Sequence, residues 1–547
     1  MPLDQAVELT PSVPLQLEDC NAAIAPAQRT YKRGFTFWMV FVANLMVDLL
    51  SALDLTSVTT ALPTIIDHFD GSDFIWAGSG YAISSTAILP VIGGVVSVFG
   101  RKPALLAFVS IFAIGSAICG AAQTLTMFIA GRVIQGLGGG GCISITEIIY
   151  ADLVPLPERG KFVGIQASVW ALACAMGPVI GGAFAGSGNW RWLFYLNLPL
   201  CGIAILLELV FLKVHTPKDS LLVKVKSMDW IGLTLIISST LAVLIALTWA
   251  GVRYPWSSVH VLVPLCLGFV GIASFFVIER TRWIKEPTIP PFIVTNRTTL
   301  SGYLGTFFHG ISSMAMIFYL PVYFQASKLA SPIHSGVDMF GLGFTIPIFA
   351  IATGVSVEVF HRYRPQNYIG WMLITLGFGL LSILDVYSST AMFIGLELII
   401  GTGMGMVWIG TQFPILAPLP FSNNAHALAF FTFVRCFAQS WGIVIGGTVL
   451  QNVLRNRLPE SFISTLPGGT QLVYSIIPRI PYLTESLKEE VRVTFAESAT
   501  LIWRVMIGVS GAGLLTCLPM QEIVMRESMD EKWGLQDEET KSTTVKE

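Results

Sequence analysis

Five ionisable residues lie inside long apolar stretches of this sequence: Asp48, Asp54, Arg132, Glu147 and Arg435. A charge at the centre of a membrane helix costs about 2.5–3.5 kcal/mol on insertion scales. Each is therefore a functional candidate by default. Asp54 sits toward the outer end of the first stretch, in Leu53-Asp54-Leu55-Thr56, and Arg132 in the outer half of the fourth, in Gly131-Arg132-Val133-Ile134-Gln135-Gly136. A carboxylate beside a guanidinium can exchange its partner for a proton, because protonation removes the attraction. At similar depth the two are expected to act as a coupling switch, the alternative being a static ion pair or a snorkelling helix-end acid. Asp48 lies nearer the middle of the first stretch. Six residues turn a helix to directions about 120° apart, so Asp48 and Asp54 are not expected to form a dyad. Asp48 could carry a proton, meet a polar substrate group, or bond to a neighbouring helix. His309 could titrate, although a hydrogen-bonded packing histidine is the favoured reading. Glu147 is expected to face water near the inner end of its stretch.

The elements that must hold these residues are membrane helices. Of 547 residues, 53% are hydrophobic and 12% charged, where an average soluble protein has about 25% charged. A spanning helix needs about 20 mostly apolar residues. About fourteen such segments are expected, centred near Met46, Ile88, Ile111, Gly138, Cys174, Ile205, Ser239, Gly268, Ser312, Phe349, Leu376, Gly401, Trp441 and Ser510. The net charge of −2 offers no basic field for nucleic acid. Eight cysteines without a C-x-x-C pair give no metal or disulfide signal. No hydrophobic leader precedes the first span, which is expected to act as an uncleaved anchor.

With the N-terminus in the cytoplasm, the loops through the twelfth span carry roughly 17 Lys and Arg inside and roughly 3 outside, which also puts the C-terminal tail inside. The sequon Asn296-Arg297-Thr298 then lies inside and is expected to be unmodified. A weak repeat relates Gly93-x-x-x-Ser97-x-x-Gly100-Arg101-Lys102 to Gly354-x-x-x-Glu358-x-x-His361-Arg362. Both follow predicted spans at their inner ends, as in carriers built from parallel six-span repeats. The two cations after Gly100 by themselves fit the positive-inside rule, while the repeated glycine spacing favours a conformational latch, since such loops could bridge moving helices. Small residues recur in span four, from Gly136 through Gly141, and in span five, in Ala173-x-x-x-Gly177-Pro178-x-x-Gly181-Gly182. In lipid they let backbones approach, and Pro178 removes a backbone donor.

Taken together these motifs resemble the major facilitator superfamily, and within it the fourteen-span drug:proton antiporters. The resemblance runs from about Phe37 to Met525. It rests on Leu53-Asp54-Leu55-Thr56 with Ala61-Leu62-Pro63, Arg132-x-x-Gln135-Gly136, Gly177-Pro178-x-x-Gly181-Gly182, Trp190-Arg191-Trp192-x-Phe194-Tyr195-x-Asn197-x-Pro199, and Tyr319-Leu320-Pro321-x-Tyr323-Phe324-Gln325. The subgroup it most resembles is that of fungal carriers exporting toxins and other secondary metabolites, such as the aflatoxin and HC-toxin efflux carriers. Ser97 stands where the family's loop motif has an acid, which puts the usual outward-facing latch in doubt, while Glu358 keeps an acid at the repeat position. Ala173 replaces the first glycine of the span-five motif.

The resemblance implies an all-α integral membrane protein of two six-helix bundles with two inserted spans. The expected order is a polar tail (1–36), a first bundle (37–212), a connector with the inserted spans (213–298), a second bundle with an external loop at 455–498 (299–525), and a second polar tail (526–547). It further implies efflux of a small, largely hydrophobic organic compound by rocker-switch alternating access. The drive is a proton gradient, with no cofactor and no metal. Arg132 with Asp54 or Asp48 is the expected coupling site, and Gln135 helps line the path. Trp170, Phe308, His309, Trp371 and Trp408 are candidate cavity residues, the favoured alternative being aromatic side chains that pack between helices or face lipid. The expected setting is the plasma membrane, with the vacuolar membrane as the alternative, and a monomer is expected because no obligate assembly feature stands in the sequence. The rivals are a proton-coupled importer, for example of an iron chelate, and a non-transporting membrane sensor. No nucleotide loop, nucleophile motif or ligand cluster supports an enzyme.

Overall fold

The computed structural model describes residues 33–69, 74–214, 223, 225–226, 228–281, 287–463 and 476–525. Most of the N-terminal tail, the tail 526–547, Lys218 and Lys224 of the connector, part of the 455–498 loop and the side chain of Pro178 lie outside the described residues.

A helix passes through each expected centre. In chain order these are α1 Phe35–His68, α2 Phe74–Phe99, α3 Arg101–Gly120, α4 Leu125–Leu153, α5 Leu156–Gly186, α6 Asn197–Phe211, α7 Trp230–Trp249, α8 Val259–Glu279, α9 Arg297–Ala326, α10 Phe340–Phe360, α11 Arg364–Leu381, α12 Thr390–Gly410, α13 Asn424–Arg457 and α14 Glu485–Thr516. Twelve stretches of the described chain are long and apolar enough to cross a membrane. The helices outside that set are α5, whose first turns carry Glu158, Arg159 and Lys161, and α11, which opens on Arg364-Pro365-Gln366-Asn367. The expectation of about fourteen crossings is thus supported for twelve. The chain is a multi-pass membrane protein.

Helix starts follow short polar side chains that satisfy the first free N–H groups. Thr124 accepts from Met127 N ahead of α4, Asp229 from Gly232 N ahead of α7, and Ser389 from Met392 N ahead of α12. Asn296 does the same for α9, its Oδ1 accepting from Thr298 N at 2.8 Å, so the sequon asparagine serves as a cap. One boundary differs from expectation. The loop expected over 455–498 is shorter, because α13 runs on to Arg457 and α14 begins at Glu485. The polar first turns of α14 are held as helix by the i,i+3 pairs Glu485–Lys488 and Glu489–Arg492, and Glu497 on the same helix pairs with Arg457.

The repeat read from the loops extends to the packing. In the first bundle α1 packs on α5 and α6, α4 on α2 and α3, and α3 on α6. In the second, α9 packs on α13 and α14, α12 on α10 and α11, and α11 on α14. Each pairing is reproduced eight helices later. Both repeats also turn from their second to their third helix through a residue with positive φ: Gly100 at 92° and His361 at 51°. Glycine takes that conformation freely, whereas a side chain there costs roughly 1–2 kcal/mol.

The span-four glycines are consumed by this packing. A Cβ at Gly136 would meet Tyr81 and Ser84 of α2, one at Gly140 would meet Ser85, and those at Gly138 and Gly141 would meet Phe112 and Phe108 of α3. In span five, Gly177 and Gly181 lie on Thr56, Ser57 and Thr60 of α1, whereas Gly182 has no neighbour within 4 Å. Ala173, buried, accepts a 3.1 Å hydrogen bond from Thr56 Oγ1 at its carbonyl.

The bundles meet along a seam, and two of its helix crossings fall at the repeated glycines. Gly93 of α2 lies on the start of α13, where a Cβ would come within 2.8 Å of His426 Cα. Gly354 of α10 lies on the start of α5, where a Cβ would come within 2.7 Å of Gly160 Cα. Polar contacts flank both crossings. Ser97 Oγ is 3.3 Å from His426 Nε2, and Lys161 Nζ is 3.0 Å from Glu358 Oε1. All of these lie at the end of the bundles that carries Arg101. The inserted helices α7 and α8 pack on each other and cap one flank of the seam. Trp249 of α7 meets Trp76 of α2 edge-on at 6.0 Å, while Phe269 and Phe276 of α8 meet Trp441 and Phe430 of α13.

Candidate functional site

Five helices of the first bundle converge on Arg132 and Asp54. Arg132 and Gln135 are three apart on α4, hence on one face. Gly115 of α3 has no side chain, which lets that face close against the backbone of Gln135. Arg132 Nη1 lies 2.5 Å from Asp54 Oδ2 and donates to Gln135 Oε1 at 2.7 Å. Gln135 Nε2 donates to Asp54 Oδ1 and to Ser116 Oγ, each at 2.8 Å. Asn197 Nδ2 of α6 adds a third donor to the carboxylate at 3.1 Å. The Tyr81 ring of α2 covers the guanidinium, with Arg132 Cζ 4.7 Å from its centroid. Both charged side chains are 1% exposed. Asp54 thus accepts from one cation and two amides, and a proton arriving there would break the strongest of the three.

Asp48 belongs to a separate cluster, as its angle on α1 requires. It is fully buried. Thr146 Oγ1 donates to it at 2.9 Å, Gln166 Nε2 at 2.8 Å and Tyr150 OH at 3.4 Å. None of these partners is a cation, and Asp48 has no ion pair among the described residues. The two aspartates should therefore respond unequally to neutralisation. Asp48→Asn keeps a hydrogen-bonding side chain and strands no cation, and is expected to change unfolding stability by less than about 1 kcal/mol. Asp54→Asn strands Arg132, at a cost of about 3–5 kcal/mol. Thermal unfolding of both variants in one detergent checks the contrast, and equal losses would contradict it.

Glu147 is corrected: it faces the seam and not water. It is buried, accepts from Thr432 Oγ1 at 2.5 Å, and lies 3.8 Å from Arg435 Nη1 of α13. The end of α4 turns toward the second bundle here, a direction hydropathy cannot register. Arg101 is buried, and its Nε lies 2.7 Å from Asp152 Oδ2 of α4, so it joins α3 to α4 within the first bundle in addition to any topological role. Lys102 donates to Leu209 O at 2.8 Å, whereas Arg362 is exposed. Trp371, a candidate for a cavity wall, packs fully buried against Gly513 of α14. His309 Nε2 lies 3.1 Å from Met404 O, and its ring meets Trp371 and Trp408 edge-on. Phe308 is half-buried against Phe307. Trp170 is half-buried beside Ala52, Leu53 and Ala173.

Sequence reasoning gave no role to Asn197, Ser116, Tyr81, Tyr150, Gln166 or Thr432. They are uncharged, so the cost of burying a charge does not flag them. Asn197 alone stood in a quoted motif, as the amide among apolar residues in Tyr195-x-Asn197-x-Pro199.

Paired six-helix bundles, membrane-crossing helices and charges buried both in a bundle core and at the seam define a polytopic carrier built from a parallel repeat. The chain belongs to the Major Facilitator Superfamily, whose profile matches residues 45–443. It is 34% identical over 528 residues to the efflux pump FUS6 of Gibberella fujikuroi, covering 95% of each chain. It is 35% identical over 517 residues to the MFS-type efflux pump LUC4 of a Fusarium species, covering 93% of this chain and 92% of that one. Among solved structures, the human organic anion transporter MFSD10 superposes with a TM-score of 0.55 at 13% identity, over 87% of this chain and all of the other, a likeness of fold.

Proposed function

We propose that this carrier exports small, largely apolar organic molecules across the plasma membrane, each outward step coupled to a proton moving inward. The observation that carries the reading is the buried Asp54–Arg132 pair with Gln135 and Asn197 on the same carboxylate. The names of the fungal relatives support the direction. We take the Arg101 end as cytoplasmic, from the Lys and Arg bias, and read the seam closed at that end as the outward-facing arrangement of the cycle. An external proton forms an O–H bond on Asp54 and weakens its hold on Arg132. Relaxation of α1 against α4 loosens the Gly93 and Gly354 crossings, the seam opens inward, and Asp54 releases its proton to the cytoplasm as substrate binds. Asp48, with neutral donors only, offers a second carboxylate on the same helix.

The test uses full-length protein in liposomes containing a trapped pH dye, with 4-(1-pyrenyl)butanamide as an uncharged probe. Probe movement against its gradient, accompanied by opposite proton movement and lost with nigericin, is the expected result. Movement indifferent to the pH gradient, or in the same direction as protons, would replace antiport with facilitated diffusion or import.

A further inference from the structure

Arg435 is the seam charge that the coupling scheme leaves unused. Its residue is 9% exposed. Its guanidinium lies between two aromatic rings, with Cζ 4.2 Å from the centroids of both Trp408 and Phe431. Rings on the faces leave the in-plane N–H edge as the route for polar partners. That edge is barely used. Nη2 donates to Trp408 O at 3.3 Å, Nε is buried without a partner among the described residues, and Glu147 Oε1 stands 3.8 Å from Nη1, beyond hydrogen-bond length. The other oxygen of Glu147 is taken by Thr432. A buried guanidinium whose donors are not satisfied is costly, and Arg435 sits where the bundles must part for anything to pass.

We propose that Arg435 is the anion receptor of the transport path, and that the carrier favours organic carboxylates borne on a hydrophobic body. The inference rests on the transport reading above and adds the substrate's charge. When the seam opens, Glu147 leaves with the first bundle while Thr432, Trp408 and Phe431 stay with Arg435 in the second. The exposed N–H fork then matches a carboxylate through two parallel hydrogen bonds, and the two rings offer apolar contact to the rest of the molecule. In the closed state Glu147 stands in for that carboxylate at a longer distance, so it competes with substrate without sealing the site.

The test compares 4-(1-pyrenyl)butanoic acid with 4-(1-pyrenyl)butanamide, binding to the full-length protein in nanodiscs being read by energy transfer from tryptophan. The wild type is expected to bind the acid at least about 10-fold more tightly than the amide. Arg435→Gln is expected to abolish that preference while amide affinity stays within about 2-fold. Glu147→Gln, which removes the competitor, is expected to widen the preference. Equal affinities in the wild type, or a preference that survives in Arg435→Gln, would overturn the proposal. So would a parallel loss of both ligands in a folded Arg435→Gln, which makes the arginine purely structural. Arg435→Lys keeps the charge opposite Glu147 but loses the fork, and decides the matter where the glutamine variant does not fold: its preference must fall at least about 3-fold. Amide transport without acid preference refutes the receptor and leaves the export reading standing. Transport of neither probe refutes both.

Discussion

Arg132→Ala is expected to abolish coupled transport, lowering pH-driven probe flux at least about 100-fold, because a proton on Asp54 then has no cation to release. Asp54 would keep Gln135 and Asn197 as donors but lose the cation whose attraction a proton competes with. Stability separates coupling from simple misfolding. Arg132→Ala strands a buried carboxylate and Asp54→Asn strands a buried guanidinium, so each single variant should unfold at a lower temperature than the wild type. The double variant strands neither, and should recover most of the loss by the usual non-additivity of contacting residues. Its coupled flux should remain absent. Recovery of flux together with stability in the double variant would reduce the pair to a structural one.

Gly354→Leu is expected to hold the bundles apart at the Arg101 end. Gly354 and Gly160 meet backbone to backbone where α10 crosses α5, and an inserted side chain has no space there. Overpacking costs about 1–3 kcal/mol, which is roughly a 5- to 160-fold loss of the closed population. The cost falls on that state alone, since the crossing separates when the seam opens. Spin labels on the exposed residues Pro103 and Arg362 should move to longer distances, and net transport should fall in proportion. Gly182→Leu, with open space around its Cβ position, is the control and should change neither. An unchanged distance distribution in Gly354→Leu would show that this crossing does not set the closed state.

These expectations mark how far the sequence could be read. Helix positions were legible because a membrane filters for apolar length, and the pairing of Asp54 with Arg132 followed from matched depth on two helices. Rotation about each helix axis was not legible. Hydropathy fixes depth and says little about which neighbour a side chain faces, so neither the seam contacts of Glu147 nor the packing of Trp371 on Gly513 was legible. The uncharged partners of the carboxylates were missed for a related reason, since an amide or hydroxyl within an apolar span is too cheap to stand out. The repeat was visible at Gly93 and Gly354, but only the packing gives its meaning: each glycine is where one bundle touches the other.

The inserted helices break the symmetry of that arrangement. Trp249 on α7 rests against the first bundle, and Phe269 and Phe276 on α8 rest against the second, so the pair straddles the flank where α2 meets α13. The opposite flank, where α5 meets α10, has no such cover among the described helices. The two bundles are thus bridged by additional helices on one flank, while on the other they are joined by the direct packing of α5 on α10.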